Sequence, residues 1–267
     1  AVIALAQVQQ TQDQRSDEDD KSAEYGYLND VPPRITYYDC MGRLYIVATP
    51  IGNLGDITYR AVETLRACAA AFCEDTRHSR KLLSHLDISI PTFSCRGQNS
   101  GACVPRMLQM LEQDADIAYL SDAGTPAISD PGSAMVRSAR EAGHGVVPIP
   151  GASAVSALLS VAGIAGRGWF FEGFLSPKGA RRTRRLEELV ARGDPFILYE
   201  SPHRIGKLAG ELAAVAGDWQ LVLGRELTKM YEQILAISAV DLADLLENGT
   251  IPARGEFAIL VWSGKSR

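Results

Sequence analysis

No run of eighteen or more apolar residues occurs in the 267-residue chain, so no segment reads as a membrane-spanning helix. Cysteine is sparse and follows no pattern. The five residues, Cys40, Cys68, Cys73, Cys95 and Cys103, read as buried or free thiols of a reducing compartment, not as a disulfide framework. Cys68, Cys73 and His78 fit no zinc spacing, and no second Cys/His pair follows, so no metal is expected. Phosphate loops are also missing. The turn TPIGNLGD after the first apolar run is not Gly-x-Gly-x-x-Gly, and no ribose-binding acid follows at the right distance. The terminal SGKS has Ile259 where a phosphate loop needs glycine, and no helix follows it. Gly151-Ala-Ser153-Ala-Val155 lacks the closing glycine of a nucleophile elbow. Dinucleotide enzymes, phosphate-loop NTPases and α/β-hydrolases are thereby disfavoured. No short-period repeat is visible.

Charge is distributed unevenly. The chain's net −5 resides entirely in residues 1–40, where eight acids face three bases, so residues 41–267 sum to zero. Any electrostatic preference of the body must come from local patches. The stretch QVQQTQDQRSDEDDKSAE is too polar to bury a core and predicts a disordered arm. AVIALA is too short, and lacks the basic flank, for a signal peptide. The arm reads as an extension ahead of a working protein that begins near Met41, or as a docking tail.

From Arg43 onward, strand-like and helix-like segments alternate. RLYIVAT, AAFCE, DIAYLS and GVVPIP read as strands, and RHSRKLLSHL, VPRMLQMLEQ and GSAMVRSAREAG as helices. A further helix is expected after Asp56, capped by it, with Ile57, Ala61 and Leu65 on one face. Beyond residue 150, GWFFEGF, PFILYE, WQLVLG, QILAIS and EFAILVW read as strands. AVSALLSVAG, RRLEELVARG, HRIGKLAGELAAV and VDLADLLEN read as helices. Up to residue 150 this alternation argues a mostly parallel sheet flanked by helices, and the expectation for the whole is two α/β domains, 41–150 and 151–267.

The stretch YLSDAGTPAISDPGSAMV places a stiff polar loop at the carboxyl end of a predicted strand, where open α/β sheets bind ligands. Gly124 and Gly132 allow close backbone approach, while Pro126 and Pro131 hold the loop stiff. Carboxylates without lysine suit a nucleoside carrying a cationic centre better than a polyphosphate. A turn with a helix cap is the plainer reading.

LYIVATPIGNLGDITYRAVETL, CEDTRHSRKLL, SDAGTPAISDPG, PIPGASAVSALL, FEGFLSPK, YESPHRI, RELTKMYEQ and GEF follow in that order. Together they resemble the bacterial 16S ribosomal RNA (cytidine-2′-O)-methyltransferase family, of tetrapyrrole-methylase fold, over roughly residues 43 to 260. The resemblance implies S-adenosylmethionine in a cleft between two α/β domains, a homodimer in the cytoplasm, and small-subunit ribosomal RNA or the assembled subunit as substrate. It carries the cofactor role to Asp122, Ala123, Gly124, Thr125, Ile128 and Ser129, to Pro50 and Gly52 of the first loop beside Thr49, and to Ala152 and Ser153. Two departures stand out. Ser94-Cys95-Arg96-Gly97-Gln98-Asn99-Ser100 replaces the family's usual His-Glu-His-Asn-Glu, and the C-terminal module of some members is missing, implying a weaker RNA grip.

For the chemistry, Glu74, Asp75, Arg77, Glu200 and Lys229 lie at or near predicted strand ends, with Asp75 and Lys229 favoured as catalytic. Capping around Thr76 and an ion pair involving Lys229 are the structural alternatives; His203 reads as a helix-start residue. Lys178, Arg181, Arg182, Arg184 and Arg185 form a basic run read as an RNA-backbone patch, against a solvated helix face with Arg184–Glu188 pairing. Methyl transfer from a sulfonium needs no metal in principle, so activity is expected to survive chelators. Methylation of a tetrapyrrole or other small molecule is the alternative activity, and a non-catalytic RNA- or cofactor-binding role the third.

Overall fold

The computed structural model describes residues 42–95, 100–164, 168–177 and 179–264. The predicted arm 1–40, Met41, residues 96–99 and Lys178 lie outside the described residues. Residues Cys40–Arg267 make one compact unit containing two sheets.

Strands β1 (Arg43–Val47), β2 (Ala70–Cys73), β3 (Thr92–Ser94), β4 (Ile117–Leu120) and β5 (Gly145–Ile149) pair in the order β3-β2-β4-β1-β5. All these pairs are parallel. Helices α1 (Tyr59–Ala67) and α2 (Thr76–His85) cover one face, α3 (Ser100–Glu112) and α4 (Gly132–Glu141) the other. Successive strand residues point to opposite faces. Phe72 and Tyr119 therefore pack with Met107 and Met135, while Cys73 and Leu120 pack with Leu65 and Leu83. Burial on both faces explains why these strands read as continuous apolar runs. Pro148, with no N–H to donate, sits in β5, an edge strand.

The second sheet contains β6 (Phe170–Phe174), β7 (Phe196–Glu200), β8 (Gln220–Arg225), β9 (Gln233–Ser238) and β10 (Phe257–Trp262), in the order β6-β7-β10-β8-β9. Helix α5 (Ala154–Ala162) packs on one face; α6 (Gly179–Arg192), α7 (Ile205–Ala216) and α8 (Ala239–Glu247) pack on the other. This sheet is mixed. Only β6 and β7 run parallel; β10 is antiparallel to both β7 and β8, and β8 to β9. The 226–232 connection joining β8 to β9 contains no crossover helix, which forces antiparallel pairing.

Three further expectations change. Thr58, not Asp56, caps α1: its hydroxyl accepts from the Ala61 amide at 3.1 Å, and Asp56 belongs to a short 3-10 turn, Leu54–Asp56. Strand β3 was not expected, because three residues show no periodicity. Cys95 and Cys103 are joined as a disulfide, so among the described residues the thiol reading holds for Cys68 and Cys73, while Cys40 lies outside them. Burial pushes those two thiols up to about 12 and about 11, which leaves them unreactive.

Candidate active site

The loops at the carboxyl ends of β1, β4 and β5 are tied to one another. Thr49 and Gly124 exchange backbone hydrogen bonds of 3.0 and 3.1 Å, linking the first loop to the 121–131 loop. The Ser121 hydroxyl donates to the Gly124 carbonyl at 2.9 Å, and the Thr125 hydroxyl to the Ala152 carbonyl at 3.1 Å. Gly124 has φ +80°, and a Cβ there would lie 3.2 Å from Ile51. Backbone strain and crowding thus both demand glycine. Asp130 is structural, accepting from the Ala127 and Gly132 amides at 2.9 and 2.7 Å and from the Tyr119 hydroxyl.

A cleft of about 460 Å³ opens between this loop and the second sheet. Asp122, Ala123, Gly124, Thr125, Ile128, Ser129 and Ser153 line it, as does Glu74 at the end of β2. Pro50, Gly52 and Ala152 do not; their neighbours Ile51 and Ala154 do. Ser153 stands at the N-cap of α5 but makes no side-chain cap bond, so its hydroxyl is not engaged there. Ile128 and Phe174 expose about half their surface, and Phe174 and Phe171 set their edges against Tyr199. Among the described residues, the cleft's charged lining is acidic: Glu74, Asp122, Asp130, Glu200 and Glu256, with no lysine or arginine.

The far wall was not assigned from sequence. Tyr199, Ser201, Leu227, Glu256 and Phe257 come together because the end of β7 pairs with the start of β10, Phe257 opposite Glu200, and Phe257 also pairs with Arg225 at the end of β8. Their presence in the quoted motifs FEGF, YESP, RELT and GEF was the available signal; the antiparallel return that gathers them was not readable.

The candidate catalytic residues separate. Asp75 caps α2, accepting from the Arg77 amide at 2.9 Å and pairing with its guanidinium at 2.8 Å, and its own amide donates to Asp122. Arg77 remains largely exposed at the rim. Glu200 is held in an ion-pair network. Its carboxylate is fully buried, accepting from Arg182 at 2.8 Å, Arg204 at 2.7 Å and the Ser201 amide at 2.8 Å. Lys229 is likewise ion-paired. Its ammonium lies 2.8 Å from Glu226 and 2.9 Å from Glu256. Burial alone would lower its pKa, but these two carboxylates hold it above the ordinary lysine value. Its stem crosses Gly52, where any Cβ would meet the Lys229 Cγ at 2.3 Å. Lys229 is therefore a strut between the 226–232 loop and the first loop. That loop carries Glu226 at φ 51° and Thr228 at φ 67°, left-handed conformations that non-glycine residues adopt at a cost.

The basic run also divides. Arg182 is 1% exposed and binds Glu200 and Glu211, so it cannot reach a phosphate. Arg185 is held by Glu172 at 2.7 Å and Glu188 at 3.1 Å, which raises its already high pKa. Arg184 makes the anticipated pair with Glu188, at 3.2 Å, while Arg181 is exposed. One helical face of α6 turns towards the protein and spends its arginines on buried or half-buried carboxylates.

The chain and its fold match known proteins. The profile described as Tetrapyrrole (Corrin/Porphyrin) Methylases covers residues 43–243, and the chain belongs to that family. Over 82% of its length it is 43% identical to a protein of Borrelia garinii subsp. bavariensis named Ribosomal RNA small subunit methyltransferase I, covering 97% of that protein. It is 44% identical to the Haemophilus influenzae protein of the same name, over 84% of this chain and 79% of that one. Among solved structures, the cobalt precorrin-4 methyltransferase CbiF superposes with a TM-score of 0.62 at 18% identity, over 82% of this chain and 94% of that one. Uroporphyrin-III C-methyltransferase from Thermus thermophilus, complexed with S-adenosylhomocysteine, gives 0.58 at 16%, over 83% and 97%. At such identities the structures establish the fold alone.

Proposed function

We propose that this chain transfers a methyl group from S-adenosylmethionine to the 2′-hydroxyl of a cytidine in small-subunit ribosomal RNA. The observation that carries the cofactor assignment is the cleft's chemistry. Glu74 and Asp122 line the cleft, and no described lysine or arginine lines it, which favours a sulfonium and an ammonium and disfavours a polyphosphate. The cleft's volume, about 460 Å³, falls in the usual range for small-molecule sites. Asp122 and the 122–125 backbone would hold the charged end, and Ile128, Phe174 and Leu227 the apolar surface. The bound cofactor supplies an already activated methyl group.

What the protein adds is placement and proton management. The Glu74 carboxylate lines the cleft at the end of β2 and accepts the proton of the ribose hydroxyl. Asp75 orients Arg77, whose exposed guanidinium at the rim holds the adjacent phosphate. The RNA substrate is inferred from the names of the relatives and the order of the motifs. A cytoplasmic homodimer, with a domain boundary near residue 150, belongs to the same proposal.

The test is transfer of labelled methyl from S-adenosylmethionine to unmodified small subunits, followed by nucleoside analysis. Labelled 2′-O-methylcytidine is expected. Label on a tetrapyrrole, with none on RNA, would replace this reading with the small-molecule one that the fold neighbours represent.

A further inference from the structure

With Arg182 and Arg185 engaged in ion pairs, an RNA substrate needs another grip, and the open edge of the first sheet offers one. Strand β3 is the outermost strand and pairs only with β2. The Phe93 ring packs on Phe72 at a centroid distance of 5.2 Å, and the Arg106 guanidinium carbon lies 3.8 Å from the Phe93 centroid. Phe93 is half-buried and Arg106 exposed, so the guanidinium caps the aromatic pair on its solvent side. Gln109, Met110 and Gln113 follow at three, four and seven residues from Arg106, hence on the same helical face, and line one groove with Phe93. Across the strand, Arg80 donates to the Thr92 hydroxyl at 3.0 Å, beside exposed Lys81. Neither Arg80, Lys81 nor Arg106 forms an ion pair among the described residues.

Resting on the RNA reading above, we propose that this groove holds an unstacked base of the substrate, close to the nucleotide in the cleft. A guanidinium plane backed by an aromatic ring is a platform on which any base can stack. The two glutamine amides offer donors and acceptors to the base edge. Arg80 and Lys81 take flanking phosphates. The Phe93 end of the groove is the end nearer the cleft, while Gln109 and Gln113 lie farther along, towards the start of β4. Phe93 pairs in register with Phe72, two residues before cleft-lining Glu74. Strand geometry then separates the Phe93 and Glu74 backbones by on the order of 8 Å. A base here belongs to a neighbouring nucleotide, not to the one being methylated.

Charge and stacking are separable by substitution. Arg106→Ala is expected to weaken binding of unmodified small-subunit RNA by about 5- to 150-fold, the range for loss of one stacked base. Arg106→Lys keeps the charge but removes the plane and is expected to lose most of the same affinity. Arg80→Gln and Lys81→Gln should each lower the slope of log affinity against log salt by about 0.7. S-adenosylhomocysteine affinity, measured on every variant, is expected to stay at the wild-type value and reports an intact fold. Wild-type RNA affinity in Arg106→Ala, or full recovery in Arg106→Lys, overturns the stacking site. Weakened binding to intact subunits with unchanged binding to protein-free RNA assigns the groove to a protein and also overturns it. If the wild-type chain itself neither binds nor methylates the RNA, the functional reading fails first and the groove falls with it.

Discussion

Replacing Arg182 by alanine gives the most direct test of its assignment to the interior. Its side chain is 1% exposed and bridges Glu200, which is fully buried, and Glu211, which is 14% exposed. Removing one partner of a buried ion pair typically costs about 3–5 kcal/mol, because a charge is left without compensation. Glu200 keeps Arg204 at 2.7 Å, and Glu211 touches solvent and Lys207, so the lower end applies. The expected loss is about 3 kcal/mol, which in a unit of this size corresponds to a fall of roughly 6–12 °C in Tm. Arg181→Gln, at an exposed position of the same helix, should stay within about 0.5 kcal/mol of wild type. Urea unfolding and thermal scans of the two variants supply the comparison. Combining Arg182→Met with Glu200→Gln should recover part of the loss, since no charge then remains at the fully buried Glu200 position, while Glu211 and Arg204, which each lose a partner, both reach solvent. An Arg182→Ala protein as stable as wild type, but with weaker RNA binding and a shallower salt slope, would refute the burial argument and restore this arginine to an RNA patch.

Gly124→Val should raise the Kd for S-adenosylhomocysteine by more than about 10-fold in calorimetry, because a β-branched residue at φ +80° costs about 1–3 kcal/mol and presses on Ile51; unchanged affinity in a folded variant would move the cofactor elsewhere. Glu74→Gln is expected to cut turnover of the small subunit by about 100-fold or more with cofactor affinity unchanged, and a wild-type rate would exclude Glu74 as proton acceptor. Burial opposes ionisation of Asp116, but bonds from the Arg43 side chain and amide and from the Tyr45 hydroxyl prevail and hold its pKa below the usual carboxylate value. A depressed folded-state pKa contributes stability above the unfolded value, near 3.9, and loses it as pH falls through the folded one. The stability gap between wild type and Asp116→Asn should therefore be widest near neutral pH and close below about pH 4; a gap that widens on acidification would reverse the sign of the argument.

Where each strand is buried on both faces, the fold was easy to read. The runs around Ile46, Phe72, Tyr119 and Ile259 are apolar over four to six residues because helices cover the sheets from both sides. Pairing direction was not encoded in the same way. An apolar run specifies burial, not orientation, so nothing in the run of β10 shows that it pairs antiparallel with both β7 and β8. Strand β3 escaped because Thr92–Ser94 is held by register with β2 and by Phe93 packing on Phe72, both long-range effects. The Cys95–Cys103 disulfide escaped for the same reason, since cysteine spacing does not reveal which strand end and helix turn meet.

The site divides along a similar line. The loop from Ser121 to Asp130 announced itself through glycine, proline and aspartate, because its backbone geometry depends on those residue types, and the cleft indeed forms around it. Charged residues were harder, since an arginine in a string of letters is the same whether it faces solvent or a buried carboxylate. Helical periodicity could have separated them. Arg182, Leu186 and Leu189 recur at four and three residues and share the buried face of α6, whereas Arg181 and Arg184 sit off that stripe. An arginine on an apolar stripe requires a buried acid, and Glu200 at the end of β7 fills that requirement. The burial of Arg182 and that of Glu200 are thus one observation: the two residues expected separately at RNA and at catalysis pair with each other inside the protein. Through the Ser201 amide, which donates to the Glu200 carboxylate, that pair fixes the turn forming one wall of the cleft.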